Sequence, residues 1–387
     1  MSGKNDIEKN IWNIFLNTSV IEQQKNTRTF GKNIWFKGNE KFVYVENDIT
    51  IIGYGRIYNE YDLWNLILPN TNAKITKKHS LSIVVGLYNK FGIEKTLEYL
   101  EGDFSFVLFD MNLYGEESLL YIVRDSLGLC PLYQLVPNTN NKKVQFYDEN
   151  VDIINKYIFS SSIIENTDDL IYEPIINGSY ILFTHSFKVS ANWKFKNNIR
   201  YYTLPFYSTY IEPLCNKFIE IEIALNKRIQ YISSKNNNEI GVILFEKQKQ
   251  NELSLHLIEI LKKNETIINY KIISFLDKTS NELEEIYPTI IQQLKQKINN
   301  NDPSIIRAYL IPVIIAKYIK ENEPQMKYVF MIEPFIYKWM FINVFDRREE
   351  FYNSFFQERI KGWIDAFLEY DIELIIPYLD RTLLQKI

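Results

Sequence analysis

Two cysteines, Cys130 and Cys215, are too few for a disulfide scaffold or a cysteine-based zinc site. The three histidines, His79, His185 and His256, lie too far apart to form a local metal motif. Glycine is also short. Gly 13 and Pro 12 in 387 residues are about half the usual combined share. A phosphate-cradling loop needs glycines, because the backbone must approach its ligand closely. An excess of positive charge is missing too. Lys+Arg 44 against Asp+Glu 48 leaves −4, so no nucleic-acid partner is expected. No apolar run reaches the roughly 20 residues of a membrane span. Tyr309–Tyr318 contains Pro312 and Lys317, and Met326–Phe345 carries Glu333, Pro334 and Lys338. The start, Met1 to Asp6, is polar and offers no signal core. A cytoplasmic location is expected, without a membrane partner.

The chain is instead rich in Asn, Ile, Lys, Tyr and Phe, residues with AT-rich codons. An AT-rich genome is expected; a virus is one such source, and a virion association is then the other location. Hydrophobic residues at 46% and charged residues at 24% describe a globular protein. Its length suggests two domains.

The first half alternates strands with a few helices. Strands are expected within 34–58, at Phe104–Phe109, Leu119–Val123, Val144–Tyr147, Tyr157–Ser160 and Tyr180–Thr184. Asp62–Leu68 and Ser80–Phe91 read as helices, with Gly92 stopping the second. Residues 192–213 read as irregular and as the linker. The second half places short apolar strands at Ile240–Phe245, Ile272–Leu276 and Tyr328–Ile332. Helices lie between and after them: Leu214–Ser233, Glu252–Leu261, Glu282–Ile298, Ile305–Ile319 and Phe351–Tyr370. That alternation predicts a parallel sheet in an α/β domain.

Several segments stand in the order of a known family. Gly55-Arg-Ile-Tyr-Asn59 with Tyr61-Asp-Leu63 looks like a strand and turn written NGEIYN-x-x-x-L. Gly102-Asp-Phe-Ser-Phe-Val-Leu-Phe-Asp110 resembles G-x-FAFALYD. Arg124-Asp-Ser-Leu-Gly-Leu-Cys-Pro-Leu-Tyr133 is similar to RDxxGxxPLY, and Asn177-Gly-Ser-Tyr180 to P-x-GxY. In the second half Gly241-Val-Ile-Leu244 resembles the strand before an ATP loop, Ile273-Ser-Phe275 an HSF strand, and Ile376-Pro-Tyr-Leu-Asp380 the element VPFLD. These are the segments of the glutamine-hydrolysing asparagine synthetases, and the resemblance runs from Ile34 to Asp380.

The resemblance implies an α+β N-terminal nucleophile hydrolase-like domain of stacked β-sheets with helices over 1–205. This would be a class II (type 2) glutamine amidotransferase domain. An α/β ATP-pyrophosphatase-like domain with a parallel sheet would follow over 206–387. In the family a cysteine directly after the initiator Met attacks glutamine. Here that place holds Ser2, and Lys4-Asn-Asp-Ile-Glu-Lys9 after it has no strand character. The oxyanion pair Asn-Gly falls on Tyr54-Gly55. The following Glu falls on Arg56, and the substrate-reading Gly-Ser-Asp on Lys78-His79-Ser80. An oxyanion donor is worth ~3 kcal/mol at the transition state. His79, without a nucleophile beside it, reads as a surface residue.

The ATP loop Ser-Gly-Gly-x-Asp-Ser falls on Phe245, Glu246, Lys247, Gln248, Lys249 and Gln250, with no glycine left. The second glycine-rich loop falls on Met331–Tyr337 and keeps only Glu333. Matching positions Arg124, Asp125, Gly128, Pro131, Tyr133 and Asp380 read as a structural set. Asp125 is expected to cap the turn that follows it, and Arg124 to find its partners elsewhere.

A catalytically inactive member follows: a pseudoenzyme acting as a binding or scaffold protein, with a protein partner or a homo-oligomer, no cofactor and no metal. The alternative is an ammonia-dependent ligase converting L-aspartate to L-asparagine, part of asparagine biosynthesis, with ATP and Mg. There Lys247 and Lys249 would hold phosphate, and Glu333 would contact the substrate amine or a metal.

Overall fold

In a computed structural model of the chain, the residues described are 12–16, 27–30, 33–68, 79–111, 117–137, 157–161, 170–186, 192–203, 218–235, 239–245, 252–264, 269–275, 288–298, 303–331, 360–377 and 379–384. The chain divides into two compact units, Met1–Thr203 and Leu204–Ile387.

The first unit holds two antiparallel sheets. One contains β1 (Trp12–Leu16), β2 (Thr27–Thr29), β3 (Ile34–Gly38), β8 (Tyr133–Pro137), β9 (Tyr157–Ser160) and β10 (Leu170–Pro174), in the order β10-β8-β9-β1-β3-β2. The other contains β4 (Val43–Glu46), β5 (Ile49–Ile57), β6 (Gly102–Asp110), β7 (Ser118–Arg124), β11 (Ser179–His185) and β12 (Lys194–Arg200), in the order β12-β11-β7-β6-β5-β4. Helices α1 (Glu60–Ile67) and α2 (Ser82–Tyr99) join β5 to β6.

Alternation along the strands explains why β6 is apolar almost throughout. Successive side chains point to opposite faces. Val107 and Phe109 enter a core shared with Trp12, Ile14 and Phe36 of the first sheet. Phe106 and Leu108 enter a second core with Val84, Leu87 and Leu97 of α2. A strand covered on both faces loses the polar half of its pattern.

The second unit is built on a parallel sheet, β14-β13-β15-β16. Its strands are β13 (Glu239–Phe245), β14 (Asn269–Phe275), β15 (Tyr328–Met331) and β16 (Glu373–Ile375). Its helices are α3 (Phe218–Ser234), α4 (Glu252–Lys263), α5 (Pro288–Ile298), α6 (Pro303–Asn322), α7 (Lys361–Glu369) and α8 (Arg381–Leu384).

Four readings are corrected. The amino-terminal region does carry an apolar strand, but it begins at Trp12. It is central in its sheet, paired to β3 and β9. Its five residues are flanked by long polar stretches, so sequence periodicity had too little length to register it. Second, Gly92 does break the helix as expected, with non-helical φ 75 and ψ 176 that glycine tolerates, but a further helical segment that was not expected follows it to Tyr99. Third, residues 192–213 are not wholly irregular, because Lys194–Arg200 forms β12 on β11. Fourth, β8, β10 and β16 had not been expected. Each is five residues or fewer and gains its order from neighbouring strands. Val144–Tyr147 lies outside the described residues.

Candidate functional site

The resembling segments of the first unit meet at the ends of β5, β6 and β7. Antiparallel pairing sets Tyr54 opposite Ser105, Gly55 opposite Phe104 and Arg56 opposite Asp103. Gly55 is required by packing. A Cβ there would come within 2.5 Å of Leu81 Cδ2 and 2.9 Å of Phe104 Cβ. Tyr54 is half-buried and packs against the core between the sheets.

Arg56 is buried, and its guanidinium donates to Asp103 Oδ2 at 2.8 Å. The Tyr58 hydroxyl donates to the same oxygen at 2.5 Å. This cation is thus engaged by an internal carboxylate. Arg124 and Asp125 then hold the loop after β7 from two sides. The Arg124 guanidinium donates to the carbonyls of Gly128 at 2.8 Å, Cys130 at 3.1 Å and Ile175 at 2.6 Å. The Asp125 carboxylate accepts the N–H groups of Leu127, Leu129 and Cys130 at 3.0, 3.0 and 2.8 Å. Three capped amides and three satisfied carbonyls leave this turn little freedom.

Gly128 has φ +70, and a Cβ on it would press Asn177 Cβ at 3.0 Å and Arg124 Cζ at 3.1 Å. Both the conformation and the space call for glycine. The Pro131 carbonyl accepts the Ser105 hydroxyl at 3.2 Å. Tyr133 opens β8, buried and paired to Ser160 and Pro174.

Electrostatics follow from burial. Desolvation pushes the Asp125 carboxyl up to about 6, helped by the Asp103 charge, while the N–H groups of Cys130 and Leu129 and the Arg124 charge pull it down. Burial likewise raises the Cys130 thiol well above its ordinary range, with Asp125 and Asp103 adding to it. A thiol held protonated is a poor nucleophile.

His79 is corrected from a surface residue to a half-buried one. Its Nδ1 accepts the Leu81 N–H at 3.1 Å, beside the start of α2. Its ring stacks on Tyr44, centroids 6.0 Å apart. Burial lowers its pKa, against the opposing pull of hydrogen bonds with the backbone of Lys41 and Phe42. A neutral ring with an accepting Nδ1 is suited to capping. Ser80 sits in the turn between His79 and α2.

In the second unit Phe245 ends β13. Ser2, Glu246, Lys247, Gln248, Lys249, Gln250 and Glu333 lie outside the described residues. Asp380 is buried, and its Oδ2 accepts Arg228 at 2.8 Å. Its Oδ1 accepts the Thr382 and Leu383 N–H groups at 3.0 and 3.1 Å and the Thr382 hydroxyl at 2.5 Å. Burial raises this carboxyl, but the Arg228 charge and these hydrogen bonds outweigh it and hold it down at about 2.

Tyr58 and Arg228 were not anticipated. Arg228 had a visible signal: it occupies a core position of the helical period set by Ile221, Leu225, Ile229 and Ile232, all buried. A cation there calls for an anion, and Asp380 supplies it from 152 residues away.

Among the described residues no three His, Cys, Asp or Glu side chains are grouped to hold a metal, and no helix is long and apolar enough to cross a membrane. No curated protein matches the chain. A family model described as a glutamine amidotransferase domain matches residues 35–147, the stretch from β3 through β8 that contains Arg56, Asp103, Arg124 and Asp125.

Proposed function

We propose that this chain is a catalytically inactive relative of the glutamine-dependent asparagine synthetases, with an N-terminal nucleophile hydrolase-like unit and an ATP-pyrophosphatase-like unit, and that it works by binding protein. The observation that carries this reading is in the sequence: Ser2 stands where the resembling enzymes have their cysteine nucleophile. Within the described part of the central strand β1, Trp12 is 1% exposed and its backbone N–H donates to the Ser161 hydroxyl at 3.0 Å.

The neighbouring positions support the same reading. Tyr54 replaces the amide donor of the oxyanion pair, and its side chain packs into the core. Arg56 replaces a glutamate and is paired internally to Asp103. The turn made by Arg124 and Asp125 keeps its hydrogen bonds, so the fold survives where the chemistry does not. A scaffold needs the former and not the latter. The test is glutamate release from glutamine and ATP–pyrophosphate exchange by the purified chain. No turnover above the enzyme-free background is expected in either assay. Turnover in either one, abolished by a substitution in the chain, would overturn the reading.

A further inference from the structure

Leu81 takes the N-cap position of α2 and makes no side-chain hydrogen bond there. His79 supplies the cap from two positions back. Its Nδ1 accepts the Leu81 N–H at 3.1 Å and its carbonyl accepts the Ser82 N–H at 2.9 Å. A neutral imidazole has one bare nitrogen and one N–H. With Nδ1 bare, the proton is on Nε2. The ring also hydrogen-bonds to the backbone of Lys41 and Phe42, in the short 3₁₀ turn Glu40–Phe42 that leads into β4. It stacks on Tyr44 of β4. One side chain thus joins the entry of α2 to the terminal strand of its sheet. A charged ring would break this arrangement, because it carries N–H on both nitrogens. Its Nδ1 would then meet the Leu81 N–H donor to donor.

The charges around the ring do not favour a cation. The Tyr44 hydroxyl is turned to Glu46, Glu40 is paired to Arg28 at 2.6 Å, and the Lys41 ammonium lies over Phe42, 5.1 Å from its centroid. The first turn of α2 has no acid, and in β5 Arg56 is paired to Asp103. Lys77 and Lys78, the two residues before the ring in sequence, are cations as well. We propose that His79 is an acid-released latch: protonation at Nδ1 frees the entry of α2 from the turn before β4. Leu81 is buried and packs where a Cβ on Gly55 would stand, so release loosens the packing over Gly55. Burial lowers the pKa of the ring, in accord with a side chain that is neutral in the folded unit. The folded ring therefore binds fewer protons than the unfolded one. The latch is complete above the ordinary value of 6.5 and weakens as pH falls below it. It rests on the geometry of the first unit alone and holds whether or not the chain turns over glutamine.

Hydrogen exchange of the full chain, read by mass spectrometry at pH 7.5 and pH 5.0 and corrected for intrinsic rates, tests the latch. Protection of peptides over 79–85 and 41–46 should fall several-fold at pH 5.0, up to a bound of about thirtyfold set by the ordinary value of 6.5. Peptides from β6 and from the second half of α2 are the internal reference and should keep their protection. His79→Asn is the second arm, because its amide oxygen accepts an N–H two residues on and does not titrate. That variant should show no pH-dependent loss over 79–85. Nitrogen NMR of the histidine-labelled parent reads the tautomer directly, and the variant assigns the His79 signals. A bare Nδ1 at pH 7.5 that gains its proton below pH 6.5 is expected. Equal protection at both pH values, the same loss in His79→Asn, loss shared evenly by the reference peptides, or an Nδ1–H tautomer at pH 7.5 would each overturn the proposal.

Discussion

Asp125 in the first unit and Asp380 in the second are both buried, and both cap the turn that follows them. Their carboxyls are nonetheless driven in opposite directions, one up to about 6 and the other down to about 2. Asp380 has a guanidinium bonded to it at 2.8 Å. Asp125 has backbone amides, while its neighbour Arg124 turns its own guanidinium to three carbonyls. Asp103 adds a second negative charge nearby. Amide hydrogen bonds offset only part of the desolvation of a buried carboxylate, and a directly bonded cation offsets all of it. The same residue type therefore makes an ion pair in one unit and a desolvated cap in the other.

The largest effect should come from breaking the ion pair. Arg228→Met leaves Asp380 buried without its cation and should destabilise the second unit by about 3–5 kcal/mol. Pairing it with Asp380→Leu should restore part of that loss, because both charges leave together. Denaturant titration of the two variants measures both. A double variant no more stable than Arg228→Met would contradict the pair.

The next effect separates the units by pH. The Asp125 carboxyl lies above its unfolded value of 3.8, so the folded state binds more protons between about pH 4 and pH 6. Its contribution is favourable below 3.8 and is lost as pH rises through about 6. Asp125 should therefore add roughly 1 kcal/mol to the first unit from pH 7 to pH 5, against an opposing loss from His79, whose lowered pKa leaves the folded ring binding fewer protons than the unfolded one. Asp380 lies below its unfolded value. Its stabilisation is present above 3.8, fades only toward pH 2, and stays constant from pH 7 to pH 5. Asp125→Asn should flatten the first dependence and leave the second. Chemical denaturation at several pH values reads both slopes, and parallel slopes in the parent and Asp125→Asn would break the comparison.

Arg124→Ala should cost about 1–3 kcal/mol, because the carbonyls of Gly128, Cys130 and Ile175 lose their donor together. The measurement is the thermal midpoint of the first unit, and an unchanged midpoint removes Arg124 from the account. The smallest expected effect is none. Ser2→Cys should release no glutamate from glutamine, because Tyr54 offers no side-chain amide donor and Arg56 is engaged by Asp103.

Much of this was legible from residue order alone. The apolar strands β6, β7 and β13 were bounded to within two residues, since they are apolar and β-prone. The turn from Arg124 to Tyr133 was recognisable as a unit through its resemblance to RDxxGxxPLY, and the structure supplies the reason for the pattern in the Asp125 cap and the positive φ of Gly128. Arg56 and Asp103 were both visible. Their pairing was not, because it depends on the register that sets β5 against β6 across 47 positions.

Local composition determined where the chain turns, which stretches are apolar, and which residues stand at the positions the resemblance singles out. Those properties reside in neighbouring residues and need no partner from afar. Only the tertiary structure decided that Trp12 belongs to a central strand, that β8, β10, β12 and β16 are strands at all, and that Arg228 reaches Asp380. Each of these rests on contacts between residues far apart in the chain, where burial, register and counter-charge are supplied by a distant segment. The physical reason is the same for the two aspartates. A carboxyl's state is set by the charges and dipoles brought around it, and it was the fold that brought a cation to Asp380 and a second carboxylate to Asp125.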